Sequence, residues 1–488
     1  MLDAFGLDRD DAIAVGLLSL ATLIVGVVTI AATYDKPGDG PNHALMAYAW
    51  SRHPWLITNG DWLPGFTYLA GLCMMVLPHP ATTARLYNLA LSTASIAAYY
   101  ALVRGVFDQR VAILSTIALA MMPMRIALGA SSLTEAGLLF FTVAGCLLIL
   151  RAFTPNLRFV FLSASLTLFV LAEMTRYEAW ALIPLIIAYV YARSRSLGLT
   201  LLATAALTIF PLEWSIATHL HTGKSLHGIS VVVNSPDRPG MTHGLVRVQW
   251  LLHLLRWYVG WLLPVGMAVG LAREFAVTVR ARLEVDRAAY AILTAVFCSQ
   301  VVFGLLMLGN NLIGRYLLVS LALAMPYAMV TYLDLFGNRR RAMGLGAFAV
   351  AISFISSYMG RMPRTYVTRR APRETFALAS WLENGPYRDA AVLMTEMYWR
   401  SLYLPLYSPH LVDRYYVVSN WVSPDWIRDF VEQQRPRLLI TIPGDTSDRS
   451  RIADALGRAP DPSLGTPLHT FGDIEVYDIS TWTANIKK

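Results

Sequence analysis

Charged residues are scarce in this sequence of 488 residues. Asp, Glu, Lys and Arg together make up 15% of the chain, whereas soluble domains contain about 25%. Runs of about 20 apolar residues with few charges are typical of membrane-spanning helices, and such runs recur from residue 12 to residue 359. The scarcity of charge excludes a soluble globular protein for most of the chain and predicts a polytopic membrane protein.

Cysteine is rarer still, and the charge balance is modestly basic. Cys73, Cys146 and Cys298 all lie in apolar runs, so we expect neither a disulfide framework nor a cysteine metal cluster. The first apolar run, residues 12–33, is too long for a signal-peptide core and lacks a basic segment before it, so we expect a retained helix. The net charge of +8 is explained by basic cytoplasmic loops, and no nucleic-acid partner is expected.

The apolar runs predict about eleven membrane spans. They lie near residues 12–33, 86–103, 111–128, 133–150, 159–172, 179–192, 197–216, 250–271, 288–308, 316–333 and 343–359. With the N-terminus inside, the short connections on the inner side are rich in arginine, as the positive-inside rule requires. Residues 61–78 are interpreted as interfacial or re-entrant, because counting them as a span would reverse this bias.

This topology predicts which connections lie on the outer face of the membrane. They are residues 34–85, 125–135, 173–178, 217–249 and 309–315, together with everything after about residue 361. Several charged side chains therefore come to the same side of the membrane, at about the same depth.

The composition after residue 361 becomes that of a soluble protein. The segments "AAVLMT", "RYYVVSN" and "RLLITIP" predict strands, and "SPDWIRDFVEQQ" and "DRSRIADALG" predict helices. Alternating strands and helices are typical of a small α/β layer domain, and "IPGDTSD" lacks the glycine pattern of a phosphate-binding loop. We predict a membrane domain over residues 1–360 and an outer-face α/β domain over residues 361–488.

The first outer connection, "TYDKPGDGPNHALMAYAWSRHP" (residues 33–54), contains two aspartates and a histidine. Asp39 followed by Gly-Pro predicts a helix N-cap, and a helix start also presents N–H groups to an anion. Asp35 is a second carboxylate, and His43 lies four residues after Asp39, a weak pattern for a metal site. The segment is therefore either a capped connection or a place of chemistry.

Glu135, in "SSLTEAGLLFF", lies at the start of an apolar stretch. An acid at the mouth of a membrane helix costs free energy unless it faces protein or a water-filled cavity. One interpretation makes it part of a helix cap with Ser132 or Thr134; the other makes it part of a functional site.

Two arginines lie at the same predicted depth. In "EMTRYEAWALIP", Arg176 is flanked by Glu173 and Glu178, and these three side chains can pair with one another at the interface. Arg315 and Tyr316 stand at an outer helix entrance, where they are either an anchor at the lipid headgroups or part of a site. Several charges at one membrane depth favour a functional site over unrelated structural roles.

Four histidines, His219, His221, His227 and His243, occur in the stretch from residue 218 to residue 243. Their spacing matches no standard zinc pattern. We expect a covering loop here, because long connections of this kind are often lids over functional sites.

Together these motifs resemble a GT-C superfamily glycosyltransferase that uses a polyprenyl-phosphate-linked sugar, of the protein mannosyltransferase or aminoarabinose transferase kind. The resemblance covers roughly residues 12–335. Its motifs are Asp39 in "YDKPGDGPNHALMAYA", Asp61 in "DWLPGFTYLAG", Arg85 in "ARLYNLALS", Glu135 in "SSLTEAGLLFF", and Arg315 with Tyr316 in "RYLLVSLALA". The aromatic-Pro element has one proline and the first loop lacks adjacent paired acids, so the choice between Asp35 and Asp39 and the subfamily stay open.

The resemblance implies a mostly α GT-C fold and transfer of a sugar to a glycolipid, glycan or protein acceptor on the outer face of the membrane. It implies that Asp39 is the base, that Glu135 orients the acceptor or shares the proton, and that Arg315, then Arg176, with Tyr316, binds the donor phosphate. The side chains implied to line the acceptor site are Asp35, His43, Asp61, Arg85 and Glu178. A divalent metal is left open, with no ligand spacing to support it.

The implied location is a bacterial inner membrane, with the active site and the C-terminal domain in the periplasm. A transporter is the alternative from another class, and it would require internal symmetry and helices broken near the bilayer midplane. A ligase or polymerase of cell-surface glycans with the same fold is the nearer alternative.

Overall fold

The computed structural model describes residues 7–36, 38–57, 62–153, 158–226, 244–280, 285–307, 314–335, 344, 351, 367–369, 372–418, 424–443, 446–455 and 466–483. Four features of the sequence analysis lie outside these residues: Asp61, His227, His243 and, apart from two isolated positions, the predicted span 343–359.

The described chain is mostly α-helical. The α-helices are α1 (Arg9–Ala32), α2 (Asp39–Arg52), α3 (Gly65–Val76), α4 (Pro80–Val106), α5 (Gln109–Met121), α6 (Pro123–Gly129), α7 (Glu135–Arg151), α8 (Arg158–Thr175), α9 (Ile183–Ser194), α10 (Leu197–Thr222), α11 (Gly244–Val259), α12 (Leu262–Arg280), α13 (Val285–Met307), α14 (Leu318–Leu335), α15 (Arg373–Asn384), α16 (Tyr403–Tyr407), α17 (Pro424–Gln434), α18 (Thr446–Ala455) and α19 (Ser480–Thr483). The strands are β1 (Tyr34–Asp35), β2 (Val367–Thr368), β3 (Val392–Thr395), β4 (Tyr415–Val418), β5 (Leu438–Thr441), β6 (His469–Phe471) and β7 (Ile474–Asp478). Short 3₁₀ helices cover Tyr177–Leu182, Gly314–Leu317, Met397–Leu402 and Pro409–Leu411.

The chain divides into two compact units. The first, here the membrane unit, comprises Met1–Ala32, Trp55–Tyr68 and Arg85–Val367. The second, here the C-terminal unit, comprises Thr33–Pro54, Leu69–Ala84 and Thr368–Lys488. The first outer connection thus belongs to the same unit as the C-terminal residues. The predicted division of the chain at residue 360 stays a prediction.

Five of the described helices are long and apolar enough to cross a membrane: α1, α4, α8, α10, and α14 together with the 3₁₀ turn before it. The α5–α6 pair makes a sixth if it counts as one span. The prediction of a multi-pass, mostly α membrane protein is confirmed, and the number of about eleven spans stays a prediction. Helix α3 has 12 residues, about 18 Å at 1.5 Å per residue, and is too short to cross a hydrocarbon core of about 30 Å.

Two predicted spans are wrong as single helices. The span predicted at 250–271 consists of α11 and α12, separated at Gly260, whose φ of 70° lies in the left-handed region that glycine adopts without a steric penalty. The span predicted at 111–128 is bent by 60° between α5 and α6. Pro123 causes this second break, because proline has no N–H to continue a helix.

The break between α5 and α6 is held by Arg125, which the sequence analysis did not single out. Arg125 is 2% exposed. Its Nε donates to the carbonyl of Leu119 and its Nη2 to the carbonyl of Ala120, each at 2.8 Å, and its Nη1 donates to Ser92 Oγ at 2.8 Å. The last carbonyls of a helix have no intrahelical donor, so this side chain satisfies the end of α5 inside the protein.

Near the start of α1, Asp11 is a fully buried acid. Its Oδ1 accepts hydrogen bonds from the Tyr100 hydroxyl and from Gln109 Nε2, the latter at 2.9 Å. Its Oδ2 accepts from the N–H of Asp8 at 3.2 Å and lies 3.5 Å from Arg104 Nε. Four donors thus compensate the buried charge and join α1 to α4 and α5.

We expect Asp11→Asn to lower the free energy of unfolding by about 2 kcal/mol, the usual range for a buried hydrogen bond to a charged group. The amide NH₂ of Asn would face donors in place of a carboxylate oxygen. Chemical unfolding in detergent micelles measures the change. The matched control is Asp10→Asn, at an exposed neighbouring position, which should leave the stability unchanged. Equal stability of the two variants would contradict the role given to Asp11.

The C-terminal unit contains a five-stranded sheet in the order β4-β3-β5-β7-β6. Strands β4, β3 and β5 are parallel, with Val392 opposite both Tyr415 and Leu438, and β7 and β6 add antiparallel to the edge. The three strands predicted from sequence are β3, β4 and β5, and the two predicted helices are α17 and α18. The hairpin β6–β7 was missed; it turns at Gly472, whose φ is 64°.

Helices cover both faces of this sheet, which explains why its central strands β3 and β5 are buried at every position and rich in apolar residues. Val392 and Met394 of β3 pack in one core with residues of α15 and α16, and Leu393 packs in the other core with residues of α17 and α18. The predicted α/β class of this region is therefore confirmed.

Candidate functional site

A cluster of charges lies in the membrane unit where α7 begins, where α8 ends and just before α14. We call it the Glu135 cluster; its members are Glu135, Arg176, Glu178, Arg315 and Tyr316. Glu135 Oε1 lies 2.6 Å from Arg176 Nη1 and 3.1 Å from Arg315 Nε. Arg176 Nη2 also lies 2.8 Å from Glu178 Oε1. Two arginines from distant parts of the sequence therefore meet at one carboxylate oxygen.

The cluster is buried and formally neutral, because two guanidinium groups face two carboxylates. The Glu135 side chain is 2% exposed, and those of Arg315 and Arg176 are 10% and 13% exposed. Burial by itself would raise the pKa of Glu178, but the adjacent Arg176 guanidinium lowers that pKa below its ordinary value. Burial would likewise lower the pKa of Arg176, but Glu178 and then Glu135 raise it. Both members of this pair are thereby held in their charged forms.

The ring of Tyr316 is in contact with both arginines of the cluster. The Arg176 guanidinium carbon is 4.6 Å from the centre of the Tyr316 ring, and that of Arg315 is 5.6 Å from it. Cation–π attraction of this kind lets two like charges approach one another over the same electron-rich ring. Arg315, whose side chain is 10% exposed, thus faces the protein interior, and the interpretation of Arg315 as a headgroup anchor is wrong.

The position of Glu135 is set by the turn before α7. Arg85 Nε donates to the carbonyl of Ala130 at 2.6 Å, and Asn88 Nδ2, one turn further along α4, donates to the carbonyl of Ser131 at 2.7 Å and to that of Leu133. Arg85, which the resemblance placed among site-lining residues, therefore holds the turn that leads to Glu135. Asn88, fully buried, was missed in the sequence, because an asparagine in an apolar helix has no pattern of its own.

Thr134 is the N-cap residue of α7, but its side chain makes no capping hydrogen bond. The interpretation of Glu135 as part of a side-chain cap with Thr134 is therefore wrong. The Thr134 hydroxyl oxygen instead accepts a hydrogen bond from Arg176 Nη1 at 3.1 Å. Arg176 itself has an extended backbone between α8 and the 3₁₀ helix Tyr177–Leu182, which directs its side chain toward α7. From α13, Gln300 Nε2 donates a hydrogen bond to the carbonyl of Glu178 at 3.1 Å.

Glu173 does not join the pairing that its spacing to Arg176 suggests. It is 1% exposed, and its carbonyl accepts a hydrogen bond from Trp180 Nε1 at 3.1 Å. Among the residues that the structure describes, its carboxylate forms no ion pair, whereas Arg176 pairs with Glu135 and Glu178. The predicted local pairing at this interface is therefore correct only for Arg176 and Glu178.

The two aspartates of the first outer connection belong to the C-terminal unit. Asp39 is the first residue of α2 and the N-cap is Gly38, so the prediction of an Asp39 N-cap is wrong. Gly38 has a φ of 135°, a backbone conformation that residues with a Cβ rarely adopt. Asp39 therefore lies inside the first turn, where a carboxylate is favoured by the helix dipole, and it is partly exposed.

Asp35, by contrast, is 1% exposed. It lies in β1, and its carbonyl accepts a hydrogen bond from the Tyr403 hydroxyl at 2.6 Å. The neighbouring Tyr34 packs against Phe376 and Tyr407, with ring centres 5.8 and 6.2 Å away. His43, one turn after Asp39, is 6% exposed. Convergence of these residues with the Glu135 cluster stays a prediction.

Two of the four histidines in the histidine-rich segment, His219 and His221, lie in the described part of the chain. Helix α10 continues to Thr222, so His219 and His221 lie on its last turns rather than in a covering loop. Two residues apart on a helix, they point to different sides. In the described part of the chain no three histidine, cysteine or acidic side chains come together as metal ligands.

These features define a polytopic membrane protein with a buried charged site at the ends of its helices and an α/β sheet unit after them. The family model described as dolichyl-phosphate-mannose-protein mannosyltransferase matches residues 52–214. This segment, about a third of the chain, includes Arg85, Glu135, Arg176 and Glu178. A comparison with curated proteins finds no match.

Two kinds of solved structure are similar to the chain over most of its length. One is ArnT from Cupriavidus metallidurans, with a TM-score of 0.64, 14% identity and coverage of 96% of this chain and 98% of ArnT. The other is the oligosaccharyltransferase of Archaeoglobus fulgidus, with a TM-score of 0.57, 12% identity and coverage of 91% of this chain and 71% of that protein. The predicted resemblance to the GT-C glycosyltransferase superfamily is confirmed in fold; the subfamily is not assigned.

Proposed function

We propose that this protein is an integral membrane glycosyltransferase that transfers a sugar from a polyprenyl-phosphate-linked donor to an acceptor. The observation that carries the proposal is the Glu135 cluster, in which Arg176 and Arg315 meet at one buried carboxylate oxygen within a GT-C fold. Two converging guanidinium groups at the end of membrane helices suit a phosphate that arrives on a lipid, because arginine binds phosphate in bidentate geometry.

The similar proteins support the choice of donor. One structure of ArnT from Cupriavidus metallidurans contains undecaprenyl phosphate, with a TM-score of 0.62, 12% identity and coverage of 95% of this chain and 97% of ArnT. The archaeal oligosaccharyltransferase AglB has been solved with an inhibitory peptide and a dolichol-phosphate. By analogy we propose a polyprenyl phosphate as the carrier here, and a glycolipid, glycan or protein as the acceptor.

Arg315 is the first candidate to bind the donor phosphate, and Arg176 is the second. When the glycosidic bond breaks, the departing polyprenyl phosphate gains negative charge, and preorganised guanidinium groups stabilise that charge. Tyr316 holds both arginines over its ring. Glu135 orients them through Oε1, and its Oε2, which has no hydrogen-bond partner among the described residues, is available to orient the acceptor.

Asp39 is proposed as the base that activates the acceptor. Its partial exposure at the start of α2 supports this role over Asp35, which is buried and lies in a strand. His43, Glu178 and Asp61 are proposed to line the acceptor site. We further propose that the protein resides in a bacterial inner membrane, with the site and the C-terminal unit on the periplasmic side.

The test is a transfer assay in proteoliposomes. Full-length protein is reconstituted with a polyprenyl-phosphate donor carrying a radiolabelled sugar, and incorporation into acceptor material from a bacterial envelope is measured. We expect protein-dependent release of polyprenyl phosphate in proportion to the sugar transferred. Release of free sugar without an acceptor product would indicate hydrolysis only. Uptake of a solute with no sugar transfer would favour a transporter, in which broken helices such as α5–α6 and α11–α12 form the substrate site.

A further inference from the structure

A second feature of the membrane unit lies at the opposite end of α7 from the Glu135 cluster. Helix α7 begins at Glu135 and ends at Arg151 after 17 residues, so the two ends are about 24 Å apart. Near Arg151, helices α4, α7, α9 and α13 surround a cavity of about 340 Å³. Arg104, Arg151 and Arg193 lie in the last turns of α4, α7 and α9.

The wall of this cavity is almost entirely apolar. It includes Leu102 of α4, Leu150 of α7, Ile186 of α9, and Ala289 and Leu293 of α13. A dry apolar cavity of about 150 Å³ already binds small apolar molecules such as benzene, and this one is more than twice as large. A cavity of this size and lining, within a membrane protein, suits a hydrocarbon chain.

Three arginines lie close to residues that line the cavity. Phe153 lies between two arginines: the guanidinium carbon of Arg158 is 5.5 Å from its ring centre, and that of Arg193 is 5.9 Å from it. The same ring lies 6.0 Å from that of Tyr189, which lines the cavity. Arg151 follows the lining residue Leu150 directly in sequence. Arg193 is thus close to the lining residue Asp286, Arg158 is connected to the lining residue Tyr189 through Phe153, and Arg151 adjoins the lining residue Leu150 in the sequence.

Asp286 is the one acid among the residues that line this cavity in the described chain. It accepts a hydrogen bond from the Tyr189 hydroxyl at 2.7 Å, and its Oδ1 lies 3.6 Å from Arg193 Nε. Asp286 thus fixes Tyr189 and Arg193 at the rim. The three arginines with this single carboxylate leave a net charge of +2, which is complementary to an anionic headgroup.

We propose that this cavity binds an anionic phospholipid of the surrounding bilayer, one acyl chain lying between the four helices and the phosphate on Arg151, Arg158 and Arg193. Basic pockets between membrane helices bind anionic headgroups in this way. The bound lipid would fill the space between α7, α9 and α13 and fix the packing of these helices. The inference does not rest on the proposed sugar transfer, since it uses none of the residues of the Glu135 cluster.

The experiment is native mass spectrometry of the full-length protein in detergent, titrated with phosphatidylglycerol and with phosphatidylcholine of the same acyl chains. An arginine near the membrane surface contributes about a fivefold gain in affinity for anionic lipid. We therefore expect Arg151→Gln combined with Arg193→Gln to weaken phosphatidylglycerol binding about 25-fold and to leave phosphatidylcholine binding unchanged. Ala289→Phe, which fills the cavity, should weaken the binding of both lipids.

The matched control is Arg195→Gln, which removes an arginine two residues from Arg193. Arg195 stacks on Tyr191, and Tyr191 is not among the residues that line the cavity. Arg195→Gln should therefore leave lipid binding unchanged. The thermal midpoint of each variant in detergent verifies that it is folded. Wild-type phosphatidylglycerol binding by the folded double variant would overturn the proposal. So would displacement of the lipid by inorganic phosphate, which would indicate a site for the free ion, or displacement by polyprenyl phosphate, which would assign the cavity to the donor.

Discussion

Asp39→Asn is expected to reduce sugar transfer in proteoliposomes by a factor of about 10² to 10⁴, the usual contribution of a general base. A neutral acceptor group is a poor nucleophile, and the amide of Asn cannot take its proton. Because Asn keeps the size of Asp and is tolerated in the first turn of a helix, α2 should still form. The measurement is the initial transfer rate at saturating donor, together with the thermal midpoint of the variant.

Asp35→Asn is the comparison that separates the two aspartates. Asp35 is buried in β1, where its carbonyl accepts a hydrogen bond from Tyr403, and its neighbour Tyr34 packs against Phe376 and Tyr407. We therefore expect this variant to lower the thermal midpoint more than the transfer rate of the folded fraction. If Asp35→Asn abolishes transfer while Asp39→Asn retains it, Asp35 is the base. Full transfer by both variants would contradict a base in this connection altogether.

Arg176→Gln is expected to destabilise the protein by about 3–5 kcal/mol, because removing one partner of a buried ion pair leaves an uncompensated charge. Arg176 donates to Glu135, Glu178 and Thr134, and the Glu135 side chain is only 2% exposed. The variant should also lose sugar transfer, since Arg315 would face Glu135 without the second guanidinium. The free energy of unfolding in detergent measures the first effect, and the proteoliposome assay measures the second.

The pH dependence of the loss of stability in Arg176→Gln is set by Glu178. Arg176 holds the pKa of Glu178 below its ordinary value. The stabilisation is therefore fully present above the ordinary glutamate pKa of about 4.3, and it disappears as the pH falls through the lower pKa of the folded protein. We expect the stability difference between the wild type and Arg176→Gln to be constant near neutral pH and to shrink in acid. A difference that grows on acidification would contradict the pairing.

Two further variants complete this prediction. Combining Arg176→Gln with Glu178→Gln removes one of the stranded carboxylates, so the double variant should be more stable than Arg176→Gln alone. Arg110→Gln removes an arginine from the first turn of α5, far along the chain from the Glu135 cluster, and should leave both stability and transfer near wild-type values. An equal loss in Arg110→Gln would show that the effect reflects net charge rather than the ion pair.

Local patterns in the sequence were sufficient for the broad architecture. Hydropathy is a property of each segment, so it predicted the apolar helices and the change of composition near residue 361. Short segments rich in apolar and β-branched residues are typical of strands, and this pattern identified β3, β4 and β5. The sequence also provided Glu135, Arg176 and Arg315 as candidates, because charges at membrane depth are costly and rare.

The sequence could not show features that depend on a partner distant in the chain. The meeting of Arg176 and Arg315 at Glu135 Oε1 requires three helix ends to pack together, and no local pattern encodes that packing. For the same reason Arg125 and Asn88 were missed, since each is an isolated polar side chain whose role appears only with the carbonyls it reaches. The Asp39 N-cap was wrong because Gly38, with a φ of 135°, is the N-cap residue, so α2 starts one residue earlier than the pattern suggested.

The sequence by itself thus determined that this protein is a multi-pass helical membrane protein with an α/β C-terminal region and a set of candidate charges. The tertiary structure decided which of these charges are in contact, which helices are broken, and that the first outer connection packs in the same unit as the C-terminal sheet. The physical reason is that hydropathy and helix signals act over a few residues, whereas burial can bring an acid and two arginines together only through the packing of the whole bundle.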